Sequence, residues 1–322
     1  MASLRTLLTL LLLGAVTSVA VAQDYPAKPV RVVVAYPAGG AADLIVRAVF
    51  NHLQSKGYNA IVENRGGGGT QIAAEAAAKS PPDGYTLFAT GMETFAITPF
   101  IYSRLSYDPV KDFVPVSGLG YAHQILAVPA KSPITSIQDL LERARAEKGA
   151  LQYGTIGVGG SAHVNMILFE SLAGVKLTPV HYRGGAPMLT DLIGGHIPMG
   201  FLSVTLLHDH IATGTLRGLG VGSSTRIPRL PEIPTIDEGG VKGFEAVSWF
   251  GLFAPNGTPD AIVRRLNTDV QSVFSDPDFK AKFLDPHFLG VIAGTPAEFS
   301  AYISKEADKW KKVLKDANVK VD

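Results

Sequence analysis

The sequence predicts an α/β protein with two domains, and three observations lead to this fold class. Short runs of β-branched residues alternate with longer helical patterns, as in parallel sheets covered by helices. The succession of a strand, a glycine turn and a helix start occurs twice, as "VVAYPAGGAAD" at residues 33–43 and "YGTIGVGGSAHVN" at residues 153–165. The chain has 322 residues, which exceeds what one hydrophobic core usually holds.

The first 22 residues predict a secretory signal peptide. They contain a single Arg, a short apolar run and the sequence Ala20-Val21-Ala22, which predicts cleavage after Ala22. An uncleaved membrane anchor is the alternative, but a polar, proline-containing segment follows at once. The chain has no cysteine, so neither a disulfide nor a lipoprotein-type thioether can form. The periplasm of a bacterium is therefore the expected location.

The overall charge is close to neutral. The chain has 29 Lys and Arg residues and 28 Asp and Glu residues, and Arg5 lies in the predicted signal peptide. The exported chain would then carry no net charge, which favours neither a nucleic-acid partner nor an anionic membrane surface.

The elements alternate along the chain. Strands are predicted over residues 30–35, 59–63, 86–90, 124–128, 152–156, 178–182 and 216–221, and helices over residues 43–56, 70–79, 136–147, 162–173, 188–194, 259–275 and 296–316. Two extended apolar segments, residues 120–133 and 247–260, end in Pro and Gly turns and would cross between the domains. The predicted division is therefore discontinuous: residues 1–22 are the signal peptide, residues 23–124 with 251–322 form lobe 1, and residues 125–250 form lobe 2.

The glycine turn after the first strand predicts an anion site. A strand, turn and helix start direct backbone N–H groups and the positive end of a helix dipole toward one point. We expect residues 36–43 to bind an anion in this way. Asp43 is then expected at the N-cap or in the first turn, because its own carboxylate would repel a bound anion.

The glycine-rich run at residues 66–69 does not match a nucleotide-hydrolysing loop. A P-loop would place Gly-Lys-Ser/Thr here, whereas the chain has Gly69-Thr70-Gln71. A flexible turn with Thr70 as the helix N-cap and a loop that contacts a ligand stay open as alternatives. The run "GVGGSA" at residues 157–162 resembles a dinucleotide fingerprint, but residues 178–182 end in His181-Tyr182 instead of the acid that binds a ribose.

Ser161, His163 and Asp191 invite comparison with a serine hydrolase. The nucleophile elbow requires Gly two residues after the Ser, where this chain has His163. Residues two apart at a helix start also point in different directions. Ser161 and His163 are therefore expected to donate hydrogen bonds to a carboxylate instead of transferring an acyl group.

No catalytic residue, metal site or cofactor is predicted. His208, Asp209 and His210 predict a polar helix end, since residues two apart on a helix face away from each other. The sequence contains neither an HExxH motif nor a cysteine cluster. Trp249 and Phe250 could pack between the domains or form an aromatic wall of a cleft.

Five long segments, in colinear order, carry a family resemblance. They are "YPAKPVRVVVAYPAGGAAD", "VENRGGGGTQIAAEAAAKSPPDGYTL", "LSYDPVKDFVPVS", "GSAHVNMILFESLAGVKLTPVHYRGGAPMLTDLIGGHIPMGF" and "LPEIPTIDEGGVKGFEAVSWFGLFAPNGTP". Together they resemble the Bug family of periplasmic solute receptors, the substrate-binding components of tripartite tricarboxylate transporters. The resemblance implies a two-lobed, type II (Venus-flytrap) periplasmic binding protein with a central mixed sheet in each lobe and no catalytic activity. It also implies a small carboxylate ligand and membrane permease subunits as partners of a monomeric receptor.

The resemblance further implies that two loops clamp one carboxylate, partly through ordered water. The first-domain loop matches residues 36–43 and the second-domain contact matches residues 159–163, with the turn at residues 182–187 nearby. The residues assigned to ligand binding are Tyr36, Ala38, Gly40, Ala41, Asp43, Thr90, Gly91, Phe95, Gly159, Gly160, Ser161, His163, Tyr182, Asp191, Phe201, Ser203 and Trp249.

The chain departs from the family pattern at two places. Gly66 follows the Arg of "ENR" where a Pro is common, and Met92, Glu93 and Phe95 are bulky where small or polar residues are usual. Met92–Phe95, Phe201 and Trp249 are therefore expected to contact the distal half of the ligand and to select an aromatic or otherwise unusual acid.

Two other functions stay open at this level. A ligand sensor that feeds a signalling receptor would use the same closure of two lobes. A periplasmic hydrolase or dehydrogenase is less favoured, because no base and nucleophile occur at a suitable spacing.

Overall fold

The computed structural model describes residues 25–321, so the predicted signal peptide lies outside the described residues. The strands are β1 (Val30–Val34), β2 (Ala60–Asn64), β3 (Thr86–Gly91), β4 (Phe113–Ala122), β5 (Gln124–Pro129), β6 (Gln152–Thr155), β7 (Thr178–His181), β8 (Gly200–Ser203), β9 (Leu216–Val221), β10 (Ser248–Pro255) and β11 (Leu289–Gly290). The α-helices are α1 (Ala41–His52), α2 (Gln71–Ala78), α3 (Thr98–Ile101), α4 (Ile137–Glu147), α5 (Ser161–Ala173), α6 (Gly185–Gly194), α7 (Val204–Ala212), α8 (Asp260–Phe274), α9 (Pro277–Phe279) and α10 (Pro296–Asp316). Short 3-10 helices lie at Leu53–Lys56 and Gly68–Thr70, and π-helical turns lie at Glu93–Ile97 and Lys280–Leu284. No helix in residues 25–321 is long and apolar enough to cross a membrane.

The first sheet has the strand order β11-β4-β10-β3-β1-β2. β1 pairs in parallel with β2 and β3, whereas β10 runs antiparallel to β3 and β4. All residues of β3 and β10 are buried. Burial on both faces explains why these strands have nearly continuous apolar sequences without an alternating pattern.

The second sheet has the strand order β7-β6-β8-β5-β9. β6 pairs in parallel with β7 and β8, whereas β5 runs antiparallel to β8 and β9. Each lobe is thus built on one mixed sheet with helices packed against it. This arrangement confirms the predicted two-lobed α/β fold.

The chain crosses between the two sheets within or next to the two segments predicted from the sequence, residues 120–133 and 247–260. It leaves the first sheet at Ala122 and enters the second at Gln124, so residues 120–133 form two strands instead of one extended segment. The return lies ahead of Ser248, because all of β10 belongs to the first sheet. Residues 248–250 therefore lie in the sheet of lobe 1, although the predicted division assigns them to lobe 2. Which residues move together as one lobe stays a prediction.

Helix starts differ most from the sequence prediction. α1 begins two residues before the predicted residue 43, and α6 begins at Gly185 instead of residue 188. The sequence of α6 begins Gly-Ala-Pro, which resembles a turn. A Pro is tolerated in a first helical turn, because the N–H that it lacks has no partner there.

Thr70 has a different role from the predicted helix N-cap. It occupies the N-cap position of α2 with a left-handed φ of 74°, but its side chain makes no capping hydrogen bond. Its hydroxyl instead lies 2.8 Å from Oγ1 of Thr94. The preceding Gly69 lies against the ring of Tyr102, where a Cβ would come within 2.9 Å of a ring carbon. The glycine run is thus a tight structural turn.

One hydrophobic core extends through both lobes. It contains Phe88 and Phe253 from the first sheet, Phe169 from α5, Phe201 from the second sheet and Trp310 from α10. A second core fills the space between the first sheet and helices α1 and α8, and a third lies under α6 and α7. The helix α10 therefore packs where the two lobes meet.

A buried acid joins α8 to the amino-terminal part of lobe 1. Asp269 accepts hydrogen bonds from the Tyr58 hydroxyl at 2.8 Å, from Arg265 Nε at 2.7 Å and from Lys56 Nζ at 3.1 Å. Burial alone would raise the pKa of Asp269, but hydrogen bonds from Arg265, Tyr58 and Lys56 outweigh it and lower the pKa. The stabilisation is therefore present above the unfolded-state pKa of about 3.9 and is lost as the pH falls through the folded-state value.

Replacing Asp269 by Ala should lower the free energy of unfolding by about 1–3 kcal/mol at pH 7, because three donors lose a shared buried acceptor. Urea denaturation of both proteins measures this difference, which should shrink at pH 3. Asp260→Ala is the control, since the Asp260 side chain is 87% exposed and its 3.8 Å ion pair with Arg264 contributes little. Equal losses in the two variants would contradict the anchoring role.

Candidate ligand-binding site

A cavity of about 670 Å³ lies between the two sheets and receives residues from both lobes. This volume is within the range of small-molecule sites. Tyr36 follows β1, Glu93 follows β3 and Ile156 follows β6, so the cavity lies at the carboxyl ends of parallel strands, where α/β proteins usually bind ligands. The lining residues are Tyr36, Pro37, Ala38, Gly39, Gly40, Ala41, Ala42, Glu93, Ala122, Gln124, Ile156, Ser161, Arg183, Gly184, Gly185, Ala186, Pro187, Phe201, Leu202, Ser203, Leu206, Ser248 and Phe250.

Four helices begin at the wall of this cavity. They are α1, α5, α6 and α7, whose N-cap residues are Gly40, Gly160, Gly184 and Ser203. None of these N-caps makes a side-chain capping hydrogen bond. The first-turn N–H groups of a helix have no partner inside the helix, and the dipole gives this end a partial positive charge. These helix starts therefore suit the cavity to an anion, and Arg183 is a positively charged side chain among the lining residues.

Asp43 holds the first glycine turn in place. Its Oδ2 accepts the Gly39 N–H at 2.9 Å, and its Oδ1 accepts Arg47 Nε and Asn64 Nδ2, both at 3.0 Å. Asn64 Nδ2 also donates to the Tyr36 carbonyl at 3.0 Å. Burial alone would raise the pKa of Asp43, but the hydrogen bonds from Arg47, Gly39 and Asn64 lower it. Asp43 is thus an ionised first-turn residue that positions the loop and does not line the cavity.

A buried amide connects the two lobes at the base of the cavity. Gln124 Nε2 donates to the hydroxyl oxygens of Ser161 (3.1 Å) and Ser248, and Gln124 Oε1 accepts Asn165 Nδ2 at 3.0 Å. Since both serine oxygens act as acceptors here, each hydroxyl proton is available to a ligand in the cavity. The Ser161 and Ser248 hydroxyls are therefore two neutral donors at this site, in addition to the N–H groups of the helix starts.

The turn before α6 is held by a hydroxyl–carboxylate pair. The Tyr182 hydroxyl donates to Asp191 Oδ2 at 2.7 Å, across one face of α6. Neither residue lines the cavity, whereas the next residues, 183–187, do. The pair therefore positions this turn, and direct contact of Tyr182 and Asp191 with a ligand stays a prediction.

The structure separates the sequence-predicted site residues into two groups. Seven line the cavity: Tyr36, Ala38, Gly40, Ala41, Ser161, Phe201 and Ser203. The other ten are not among its lining residues: Asp43, Thr90, Gly91, Phe95, Gly159, Gly160, His163, Tyr182, Asp191 and Trp249. Thr90 is fully buried and bonded to Thr94, and Gly91 provides the space in which the Tyr36 hydroxyl and the Trp249 carbonyl approach.

Phe95 and Trp249 belong to the hydrophobic core, which corrects their predicted role as a cleft wall. The Phe95 ring stacks on Phe253 at 4.4 Å between centroids and lies 6.5 Å from Trp249. Trp249 is 0% exposed and also packs edge-on against Phe299. Met92 is likewise 0% exposed. Bulk at these positions therefore fills the interior of lobe 1.

Ser161, His163 and Asp191 do not form a catalytic triad. Ser161 is bonded to Gln124, Asp191 is bonded to Tyr182, and His163 Nδ1 accepts the Gly159 N–H at 3.1 Å. Burial lowers the pKa of His163 to about 4, so its ring is neutral at physiological pH. No group of three or more His, Cys, Asp or Glu side chains in the described range, 25–321, could hold a metal ion.

Sequence reasoning missed several cavity residues. Gln124 and Ser248 are single polar residues within apolar crossing segments, and that position was the available signal. Phe250 and Leu206 carry no such signal, because an apolar side chain in a strand or helix usually belongs to a core. Leu206 is 40% exposed at the cavity.

Phe95→Ala should lower the free energy of unfolding by about 3–5 kcal/mol, because it leaves a hole among stacked rings. The order in which the protein prefers different carboxylates should stay the same. Urea denaturation and calorimetric titration measure the two effects. A changed ligand order with unchanged stability would restore Phe95 to the cleft wall.

Comparison with known proteins gives the family. The model of the tripartite tricarboxylate transporter family receptor matches residues 45–319. Protein BugT of Bordetella pertussis is 31% identical over 302 residues, which cover 93% of this chain and 92% of that protein. A UPF0065 protein from Pseudomonas sp. strain P51 is 36% identical over 294 residues, covering 90% of this chain and 86% of that protein.

Solved structures of similar proteins include two with carboxylates. Rpa4515 of R. palustris, described with adipate, shares 34% identity and a TM-score of 0.84, over 92% of this chain and 99% of that one. MatC of Rhodopseudomonas palustris, described with bound malate, shares 27% identity and a TM-score of 0.78, over 90% of this chain and 100% of that one. The family match covers most of the chain, and the chain therefore belongs to the tripartite tricarboxylate transporter receptor family.

Proposed function

We propose that this protein is an extracytoplasmic receptor that binds a small organic carboxylate and delivers it to a tripartite tricarboxylate transporter. The observation that carries the proposal is the set of four helix N-termini without side-chain caps around one cavity. The adipate and malate of two family members agree with this chemistry.

The ligand's carboxylate lies between the two lobes in this proposal. The start of α1 supplies backbone donors from lobe 1, and the starts of α5, α6 and α7 supply them from lobe 2. The hydroxyls of Ser161 and Ser248 add neutral donors, and ordered water completes the contacts. Binding to both lobes favours their approach, and the closed surface is what the permease subunits recognise.

The rest of the ligand contacts a largely apolar wall. The apolar lining residues include Ile156, Leu202, Leu206 and Phe250. Burying hydrocarbon here stabilises the complex by about 25 cal/mol per Å² of apolar area. A carboxylate with a chain or ring of several carbons therefore fits better than a compact polyhydroxy acid.

A receptor without catalysis agrees with the chemistry of the cavity. Among the lining residues the titratable side chains are Tyr36, Glu93 and Arg183. Glu93 is bonded to Tyr36 and to no nucleophile, so neither it nor Tyr36 activates an attacking group. The protein is proposed to act as a monomer in the periplasm.

A thermal-shift screen should identify carboxylates that stabilise the purified protein. A ligand that binds only the folded state at 100 times its Kd adds about 2.7 kcal/mol of stability. The panel contains aliphatic di- and tricarboxylates, aromatic acids and acidic amino acids, with the uncharged amide of each acid as the matched control. Stabilisation by the amides but not by the acids would contradict a carboxylate receptor.

Ser161→Ala should weaken carboxylate binding about 2- to 10-fold, because one neutral hydrogen bond to the ligand is lost. Calorimetric titration measures the change in Kd. Ser171→Ala is the control on the same helix, since Ser171 is exposed at the other end of α5. Unchanged affinity in Ser161→Ala would remove the Ser161 hydroxyl from the site.

A further inference from the structure

Glu93 is an acid in a cavity otherwise suited to an anion. It begins the π-helical turn Glu93–Ile97 directly after β3, and it lines the cavity while its neighbours Met92 and Thr94 are fully buried. Single π-helical turns occur often at functional sites, because the extra residue re-aims a side chain. Here the turn directs one carboxyl group toward the ligand space.

The Tyr36 hydroxyl leaves Glu93 partly unsatisfied. Tyr36 donates to Oε2 of Glu93 at 2.5 Å, and no other side chain among residues 25–321 bonds to this carboxyl group. Tyr36 is held in turn by its edge-on contact with Phe250, at 5.6 Å between ring centroids. The carboxyl group also accepts a hydrogen bond from the backbone of Glu93 itself. Its remaining lone pairs can accept a donor in the cavity, since each carboxylate oxygen accepts more than one hydrogen bond.

Glu93 has no cation beside it within the described residues. Burial raises its pKa, and no positive charge opposes this effect. Arg183 is the lysine or arginine found among the lining residues, and it lies on the opposite lobe with no ion pair to Glu93. An ionised Glu93 near a bound anion would repel it, so either the carboxyl group takes up a proton or the ligand itself supplies a positive charge.

We propose that Glu93 makes the cavity selective for carboxylates that also carry an ammonium group, which donates to Glu93 Oε1. This inference rests on the proposed carboxylate-binding function and names the ligand's second group. The helix N-termini take the carboxylate, the apolar wall contacts the carbon chain, and Glu93 takes the cation. The charges of a zwitterionic ligand are then both matched inside one cavity.

The test compares acids that differ only in the second group. Hexanoate, 6-aminohexanoate, 2-aminohexanoate and adipate are titrated by calorimetry into the wild-type protein, together with the matched four-carbon set. At least one amino acid should bind about 10–100-fold more tightly than the plain acid of the same length, which corresponds to a charge-assisted hydrogen bond. Glu93→Gln should abolish this preference, because the ammonium group loses its charged acceptor while the plain acid no longer faces a carboxylate and binds at least as tightly as to the wild type. Glu142→Gln, on the exposed face of α4, is the matched control and should change neither.

Each other result has a defined meaning. If a dicarboxylate binds best and Glu93→Gln preserves or strengthens its binding, the ammonium proposal is overturned while the carboxylate receptor stands. If Glu93→Gln and Arg183→Ala weaken all the acids alike, Arg183 is the partner of Glu93 and the proposal is overturned. If none of the acids in the wider thermal-shift panel binds, the proposed function fails and this inference fails with it. Urea denaturation of each variant verifies that the fold is intact.

Discussion

Backbone N–H groups at helix N-termini, left without side-chain partners, are the feature on which the binding site depends. Helices α1, α5, α6 and α7 all begin at one cavity without a capping side chain. Among the helices that begin elsewhere, α4, α9 and α10 have side-chain caps from Ser136, Asp276 and Thr295, whereas α2, α3 and α8 have none. The Val204 N–H at the start of α7 donates to the His123 carbonyl, and the first-turn N–H groups without such a partner stay available for a ligand. Helix dipoles from both lobes attract an anion. Unlike an ion pair, such a site does not lose side-chain entropy by ordering a long lysine or arginine.

Hydrogen bonds from a few polar side chains hold the turns before these helices in place. Asp43 fixes the turn before α1, and the Tyr182–Asp191 pair fixes the turn before α6. Gln124 fixes two serine hydroxyls that come from different lobes. Asp43, Tyr182 and Asp191 are not among the lining residues, whereas Gln124 lines the cavity beside the glycine, serine and apolar residues of its wall. Asp43 can lie next to an anion site because its carboxylate accepts hydrogen bonds from Arg47 and Asn64 and does not line the cavity.

Packed aromatic rings of lobe 1 connect its sheet to α10. Phe95, Trp249, Phe253 and Phe299 form a continuous stack within the core that reaches α10 and both lobes. Close packing makes such a core resist deformation. The packing around α10 therefore connects the two lobes.

The sequence by itself determined the alternation of strands and helices, the two strand–turn–helix junctions and the family. These follow from local spacing, since glycine turns, β-branched runs and long colinear segments can be recognised without knowing which parts meet. The anion chemistry at residues 36–43 and at Ser161 followed from the same local patterns. Only the tertiary structure decided which side chains face the cavity. Gln124 and Ser248 meet although 124 positions separate them, and Glu93 faces the cavity while Phe95, two residues later, is buried. Packing between segments distant in the chain decides whether a side chain points toward the cavity or toward the core. The π-helical turn Glu93–Ile97 is a local irregularity that changes these directions.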